Sequence, residues 1–331
     1  MTNVDDDNTP LLRVRDLRVD LTLPSLARRP IIRGIDFDLA AGEALGLVGE
    51  SGSGKSMTAR AIMRLLPPNA ETHGTITFDG NLVGAMSKTQ LRRLRSHGVA
   101  MVFQDPRAHI NPVRTVGDFL CEGMVSTRGV SRKAAWERAR TLLGDVHIAD
   151  PERRMRQRPY ELSGGLLQRV MIAAALAVEP QLILADEPTT ALDVTTQEEV
   201  MAILDEQRRQ RNLALLFITH DLELAAAVCD RTAVMYAGRI VECGPTEGMH
   251  STARHPYTRA LLAARPATTE PGLRLQTIPG RPMAAWDVST GCSFRSRCPI
   301  STTECEHDEP QQRAVGTATV SCHHAQIGVP A

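Results

Sequence analysis

At 331 residues, with 38 Lys plus Arg balanced by 38 Asp plus Glu, the chain is long enough for one large domain with a smaller appendage and carries no global field for nucleic acid or anionic lipid. Aromatics at 3% of residues are too few for a base-stacking single-strand surface. No apolar run approaches the ~20 residues that cross a bilayer, MIAAALAV at 171–178 being among the longest, so any work at a membrane requires other subunits.

The N-terminal MTNVDDDNTP is acidic, polar and without an apolar core, which argues against a secretory signal and predicts a disordered tail on a chain that stays in the cytosol. LLRVRDLRVDL alternates apolar and polar residues like a half-buried strand, and IDFDLAAGEALGLVGE supplies two more strands with AAGE as the turn. The apolar LGLV then runs into GESGSGKS at 49–56, which fits GxxxxGK[ST]. Small residues there let backbone N–H groups close around phosphate oxygens. MTARAIMRLL follows at helical spacing and stops before Pro67 and Pro68. In this strand, loop and helix setting, Gly49, Glu50, Ser51, Gly52, Ser53, Gly54, Lys55 and Ser56 form the cradle. Lys55 suits the β- and γ-phosphates and Ser56 a magnesium ion, with the helix N-terminus aimed at the same anion.

GTITFDG (74–80) reads as a short strand, and GVAMVFQDP (98–106) as another that ends at Pro106 and carries Gln104 near its close. From about 115 to 180 the pattern is helical, with WERARTLLGDV and LLQRVMIAAALAV as the clearest pieces. Ahead of the latter, Ser163, Gly164 and Gly165 make a second helix N-terminus suited to an anion, or else an ordinary serine cap with glycines. QLILADEP (181–188) and LALLFITHD (213–221) are strands separated by the helical TTQEEVMAILDEQRRQ, a pattern that favours a parallel sheet.

Asp186 and Glu187 fall at the end of a buried strand, where an open parallel sheet presents groups to its ligand. Asp186 suits magnesium held through water, and Glu187 suits the proton of an attacking water. Gln104 and His220 close neighbouring strands and reach the γ-phosphate edge. Singly, each of these residues is as well a solvated turn or a surface amide; it is their order behind the cradle that favours the catalytic reading. DRTAVMYAGRIVECG reads as a hairpin with Gly238 at the turn. After residue 245 the composition shifts, which marks a domain boundary. HPYTRALLAARP is a short proline-bounded helix, followed by a Pro, Gly and Thr-rich link.

Cys292, Cys298, Cys305 and Cys322 crowd the last 40 residues. In a reducing cytosol four such thiols suggest a tetrahedral zinc or a [4Fe–4S] cluster rather than disulfides. The absence of close CxxC pairs counts against zinc, Pro299 after Cys298 is as in some ferredoxin runs, and His323 and His324 are lesser ligand candidates. A tail this poor in apolar residues is expected to need cross-linking, so the site reads as a structural staple more than a redox device.

GESGSGKS, Gln104, LSGGLLQR, LILADEP, ALD (191–193) and His220, in this order, resemble the ATP-binding-cassette ATPases over residues 49–220. The resemblance implies an α/β fold: a RecA-like P-loop ATPase core with a β-subdomain and a helical subdomain (about 105–180) in a nucleotide-binding domain of 1–245, then a small Cys-rich C-terminal domain of 246–331. It also implies a head-to-tail dimer, in which Ser163, Gly164 and Gly165 of one subunit close on ATP held by the other's Lys55. Magnesium falls to Ser56, Gln104 and Asp186, and catalysis to Glu187, His220 and Gln104.

DPRAHINPVRTVGDFL, HPYTRALLAARP and GCSFRSRCP with two further cysteines are similar to the oligopeptide and dipeptide importer ATPases, the OppD and DppD type, over nearly the whole chain. That likeness implies a peripheral subunit on the cytoplasmic face of the membrane that hydrolyses ATP to drive import of di- or oligopeptides. Its expected partners are two transmembrane permeases, a second and different ATPase subunit, and an extracytoplasmic substrate-binding protein, with no nucleic acid. Nickel, a metallophore or another small solute is the alternative cargo, because other subunits select it. The likeness also favours [4Fe–4S] at the four cysteines, with zinc as the alternative. Two departures stand out. Relatives place an aromatic on adenine near the end of the first strand, where VDLTLPS here has only Leu21 or Leu23, and Leu166 replaces the Gln common in cassettes at large.

Overall fold

The alternation of the first segment becomes β1 (Leu12–Thr22), but its phase changes midway: Leu12 and Val14 are buried, then Leu17 and Val19. A bulge between Arg15 and Arg18 in the pairing with β4 resets the phase, and Asp16 there has φ +43°. The opposing Gly74, at φ +82°, lies so close that a Cβ would collide with the Asp16 carbonyl oxygen. This is a computed structural model of the chain, and it describes residues 9–23, 27–190, 192–264 and 277–325. Most of the N-terminal tail expected to be disordered, and the Pro, Gly and Thr-rich link, lie outside the described residues.

The elements that follow are β2 (Arg28–Leu39), β3 (Ala44–Val48), α1 (Lys55–Ile62), β4 (Ala70–Phe78), β5 (Asn81–Leu82), α2 (Lys88–Arg93) and β6 (Val99–Val102). A helical run comprises α3 (Val116–Arg128), α4 (Arg132–Asp145), α5 (Pro151–Arg156) and α6 (Gly164–Ala177). Then come β7 (Leu182–Asp186), α7 (Val194–Arg211), β8 (Ala214–Thr219), α8 (Leu222–Val228), β9 (Arg231–Tyr236), β10 (Arg239–Pro245), α9 (Thr246–Thr252) and α10 (Pro256–Ala263). The chain closes with α11 (Thr303–His307), β11 (Arg313–Val315) and β12 (Ala318–Val320). Side-chain caps set several helix starts: Thr115 accepts from the N–H of Asp118, Ser131 from Ala134 and Asp193 from Thr196.

The chain groups into two compact units. One comprises Met1–Leu11, Leu39–Ala44 and Asp79–Ile218. In it β6, β7 and β8 run parallel, Val99 opposite Leu182 and Leu182 opposite Ala214, and all five residues of β7 are buried. Continuous apolar strands of this kind suit a sheet covered on both faces. The helical run belongs to this unit, and α6 buries Leu167, Val170, Ile172 and Leu176 while α4 buries Ala135, Ala139, Leu142 and Leu143.

The other unit comprises Leu12–Asp38, Leu45–Phe78 and Thr219–Ala331. Here β3 pairs parallel with β9, β9 antiparallel with β10, β10 with β12 and β12 with β11. The β9–β10 turn is at Ala237 and Gly238, both at positive φ, as the hairpin reading placed it. The C-terminal segment thus extends this sheet. It also has a small apolar cluster of its own, Val315, Ala318, Val320, Cys322 and Ala325, and Glu309 bridges Arg33 (2.8 Å) and Arg239 (2.7 Å). Strand pairing and ion pairs thus tie this segment to the sheet. No helix among the described residues is long and apolar enough to cross a membrane.

Candidate functional site

The buried strand β3 delivers the chain into the loop 49–54, and α1 starts at Lys55 with Gly54 as its N-cap, at φ +109° and without a side-chain cap. The N-terminus of α1, where a helix concentrates positive charge, thus falls at the end of this loop. Gly52 has φ +81° and open space around the position a Cβ would take, whereas a Cβ on Gly49 would strike the Met235 carbonyl oxygen. The loop thus rests against β9 on one side and stays open on another. Ser53 is 4% exposed and its Oγ is buried without a hydrogen-bond partner. Such an orphaned hydroxyl fits an incoming anion. Lys55 is also 4% exposed, and its Nζ donates to the carbonyls of Gly49 (2.6 Å) and Glu50 (3.0 Å). An ammonium held on its own loop beside the orphaned Ser53 hydroxyl suits a polyphosphate.

Behind the loop stands an aromatic and ionic wall from the C-terminal part of the same unit. The Glu50 N–H donates to Tyr257 Oη (2.9 Å), and the Glu50 carboxylate takes both arms of Arg297, at 2.7 and 3.0 Å. Tyr236, Tyr257 and Phe294 pack with ring centroids 4.6–5.3 Å apart. His255 is fully buried against Phe294 and its Nδ1 accepts from the Tyr257 N–H (3.0 Å). Burial pushes its pKa down to about 3, so it stays neutral. Burial also raises the Tyr257 phenol well above its ordinary range.

The second group of expected residues sits in the other unit. Asp186, 5% exposed, ends β7, and Glu187 follows at φ +46° with its N–H donating to the Ile218 carbonyl (2.9 Å). A left-handed glutamate is a strained conformation of the sort that collects at functional sites. Its Oε2 accepts from Gln104 Nε2 (3.2 Å) and Thr190 Oγ1 (2.9 Å). The structure therefore joins Gln104 to Glu187, a pair the strand-end reading, which set Gln104 beside His220, had not named. Ser163 is exposed and caps α6 through Leu166 N–H (3.4 Å), with Gly164 also exposed. His220 follows β8, exposed, and belongs with the cradle's unit. Leu21 and Leu23, the residues offered for adenine, are half-buried.

Reasoning from sequence missed Thr190, Tyr257 and Arg297. Thr190 lies three residues from Glu187, a spacing that a turn brings together. Arg297 stands inside GCSFRSRCP but 247 residues from its partner, and nothing local signals such a pair.

All four C-terminal cysteines are free thiols. Burial pushes Cys292 up to about 11, and Cys305, Cys322 and Cys298 add to the rise. Cys298 and Cys322 are raised mainly by burial too, with Cys305 contributing to each. The four thus neighbour one another electrically. Among the described residues, however, no group of three or more His, Cys, Asp or Glu is arranged to hold a metal ion. The described residues thus show neither the expected [4Fe–4S] site nor its zinc alternative.

Residues 32–190 match the ABC transporter family, and residues 241–305 match the oligopeptide/dipeptide transporter C-terminal region. The chain is 42% identical over 300 residues to the oligopeptide transport ATP-binding protein OppD of Salmonella typhimurium, covering 91% of this chain and 89% of that protein. It is 41% identical to the dipeptide transport ATP-binding protein DppD of Haemophilus influenzae, covering 95% of each. Among solved structures, a dimeric bacterial ABC transporter cassette is similar at 26% identity and TM-score 0.64, covering 71% of this chain and 98% of that one. The same cassette is also known in a post-hydrolysis state bound to ADP and phosphate, with the same identity and TM-score.

Proposed function

The chain belongs to the ABC transporter ATPase family, and from that membership we propose that it is the ATP-hydrolysing subunit of a di- or oligopeptide importer. The observation that carries this reading is the similarity along nearly the whole chain, including the match of residues 241–305 to the peptide-transporter C-terminal region. The loop 49–56 takes the triphosphate: its N–H groups, Ser51, Ser53 and Lys55 contact phosphate oxygens, and Ser56, Gln104 and Asp186 supply oxygens for magnesium. Magnesium, when bound, neutralises charge on the phosphates. Glu187, already hydrogen-bonded to Gln104 and Thr190, orients and deprotonates the attacking water, with His220 at the γ-phosphate. Ser163, Gly164 and Gly165 serve a nucleotide held by a second cassette, a different but related chain.

In this reading the subunit sits at the cytoplasmic face of the membrane. It works with two permeases and an extracytoplasmic binding protein, and residues 246–331 form its C-terminal domain. Cys292, Cys298, Cys305 and Cys322, four buried or half-buried free thiols within the last 40 residues, are proposed as the ligands of a [4Fe–4S] cluster. Iron and sulfide in the anaerobically purified chain, lost in Cys298→Ser, would bear this out; an iron-free chain with an intact C-terminal segment would refute it. The transport reading is tested in vesicles holding the permeases and this chain. Labelled peptide should accumulate with ATP and not with Glu187→Gln, whereas uptake of metal chelates alone would contradict the peptide assignment.

A further inference from the structure

A carboxylate inside a phosphate cradle is a problem of charge. Glu50 occupies the second position of the loop, and an unneutralised negative group there would repel an incoming polyphosphate. The structure shows how the group is held. Glu50 is tied at three points: its carbonyl accepts from Lys55 Nζ, its N–H donates to Tyr257 Oη, and its carboxylate takes Arg297 in a two-pronged pair. Two of these three ties come from the C-terminal segment. The Arg297 side chain is 3% exposed and that of Glu50 23%, so the guanidinium is buried while the carboxylate keeps some contact with solvent. Its Nε donates to the Pro279 carbonyl (2.9 Å) and Nη1 also reaches Tyr236 Oη (3.4 Å). A guanidinium with its fork engaged on one carboxylate and its Nε–H on a backbone carbonyl holds one orientation.

The loop backbone has a further tie on the same side, because Gly238 N–H donates to the Ser53 carbonyl (3.0 Å) and the Gly238 carbonyl accepts from Arg33 N–H (2.8 Å). The cradle therefore has a side open at Gly52 and a back gripped by β9, the β9–β10 turn and the C-terminal segment.

We infer that Arg297 is a positioning residue for the triphosphate: it neutralises the Glu50 carboxylate and turns it to the back of the cradle, so that the loop presents donors to phosphate and no net negative charge. The inference rests on the reading that residues 49–56 hold ATP. It makes the C-terminal segment part of the nucleotide site rather than an appendage to it. The effect acts through charge, so it grows with the number of phosphates on the ligand.

The test is equilibrium binding of ATP, ADP and AMP to the full chain. Lys55→Ala checks the underlying reading: if it binds ATP as the wild type does, the nucleotide assignment itself fails. Given that control, Arg297→Met should weaken ATP about tenfold or more and ADP less, with AMP nearly unchanged, and the loss should shrink at high salt. Glu50→Gln/Arg297→Met, which removes both charges, should return ATP to within about threefold of wild type. Equal losses for all three nucleotides, no loss, or a double variant as weak as Arg297→Met would overturn the inference. Should Arg297→Met not fold, Glu50→Gln alone carries the test, since it leaves the guanidinium charge in excess. ATP should then bind about threefold tighter, with a smaller gain for ADP, and an unchanged or lower preference for ATP over ADP would overturn the inference.

Discussion

Two helix tips in this chain are built from the same materials, small residues and hydroxyls at an N-terminus, and they differ in how they are held. The loop ahead of α1 is walled in. Ser53 and Lys55 are each 4% exposed, Gly49 touches β9 too closely for any side chain, and Glu50 is bound by Tyr257 and Arg297. The tip of α6 is open: Ser163 and Gly164 are exposed, and Ser163 caps its own helix at 3.4 Å. A pre-formed, braced cradle can capture phosphate by itself, because the cost of ordering it has been met by packing in the same unit. The exposed tip offers the same donors with less around them: Gly165 packs on Thr196, but Ser163 and Gly164 face solvent. Its chemistry becomes useful when another surface closes on it, and this is what a site shared between two cassettes requires.

The sharpest way to separate capture from turnover is Glu187→Gln. General-base catalysis contributes about 10²–10⁴ in rate, and turnover should fall by that factor while ATP affinity holds; single-turnover hydrolysis beside equilibrium binding reads both. Undiminished turnover would remove Glu187 from its role. Next, the two tips should differ in their tolerance of one methyl group. Gly49→Ala forces a Cβ against the Met235 carbonyl and should lower stability by about 3 kcal/mol. Gly164→Ala, whose Cβ would meet nothing nearer than Leu192 Cδ2 at 3.5 Å, should change it by less than about 0.5 kcal/mol. Chemical denaturation of the two variants gives the answer, and equal losses would break the comparison.

The brace behind the cradle should also show itself in acid. The folded state holds His255 neutral with a pKa near 3, below its ordinary value of about 6.5. The unfolded chain therefore binds the extra proton between these values. Stability is complete above pH 6.5 and falls on acidification toward pH 3, by up to about 1.4 kcal/mol per pH unit. His255→Asn, which retains an acceptor for the Tyr257 N–H, should flatten that slope in denaturation midpoints measured across pH. The smallest effect is expected at the open tip: Ser163→Ala removes an exposed cap and should cost about 1 kcal/mol. Its ATP binding should stay unchanged while turnover falls, and a parallel loss of binding would place Ser163 at its own chain's nucleotide.

Much of the site was legible because its signals are local. GESGSGKS between an apolar strand and a helix, and LILADEP at a strand end, are short patterns whose spacing is their geometry. The hairpin at Gly238 was legible for the same reason. Boundaries were less so: MTARAIMRLL reads as helical up to Pro67, yet α1 ends at Ile62 and Arg64 turns to φ +51°. The change of phase in β1 was hidden because a bulge adds a residue without altering composition. β11 and β12, three residues each, are too short to show alternation, so the sheet continuing into the tail was invisible. The clamp of Arg297 on Glu50 joins residues 247 apart, and ion pairs have no period to detect.

The open tip at Ser163 is proposed to complete a nucleotide site on another subunit. Hydrolysis per chain, followed through dilution alongside the fraction of associated chains measured by sedimentation and with the companion cassette present or absent, tests it most directly. The rate per chain should fall as association is lost and recover when a partner is supplied. A fully dissociated chain hydrolysing ATP at the undiluted rate would contradict it.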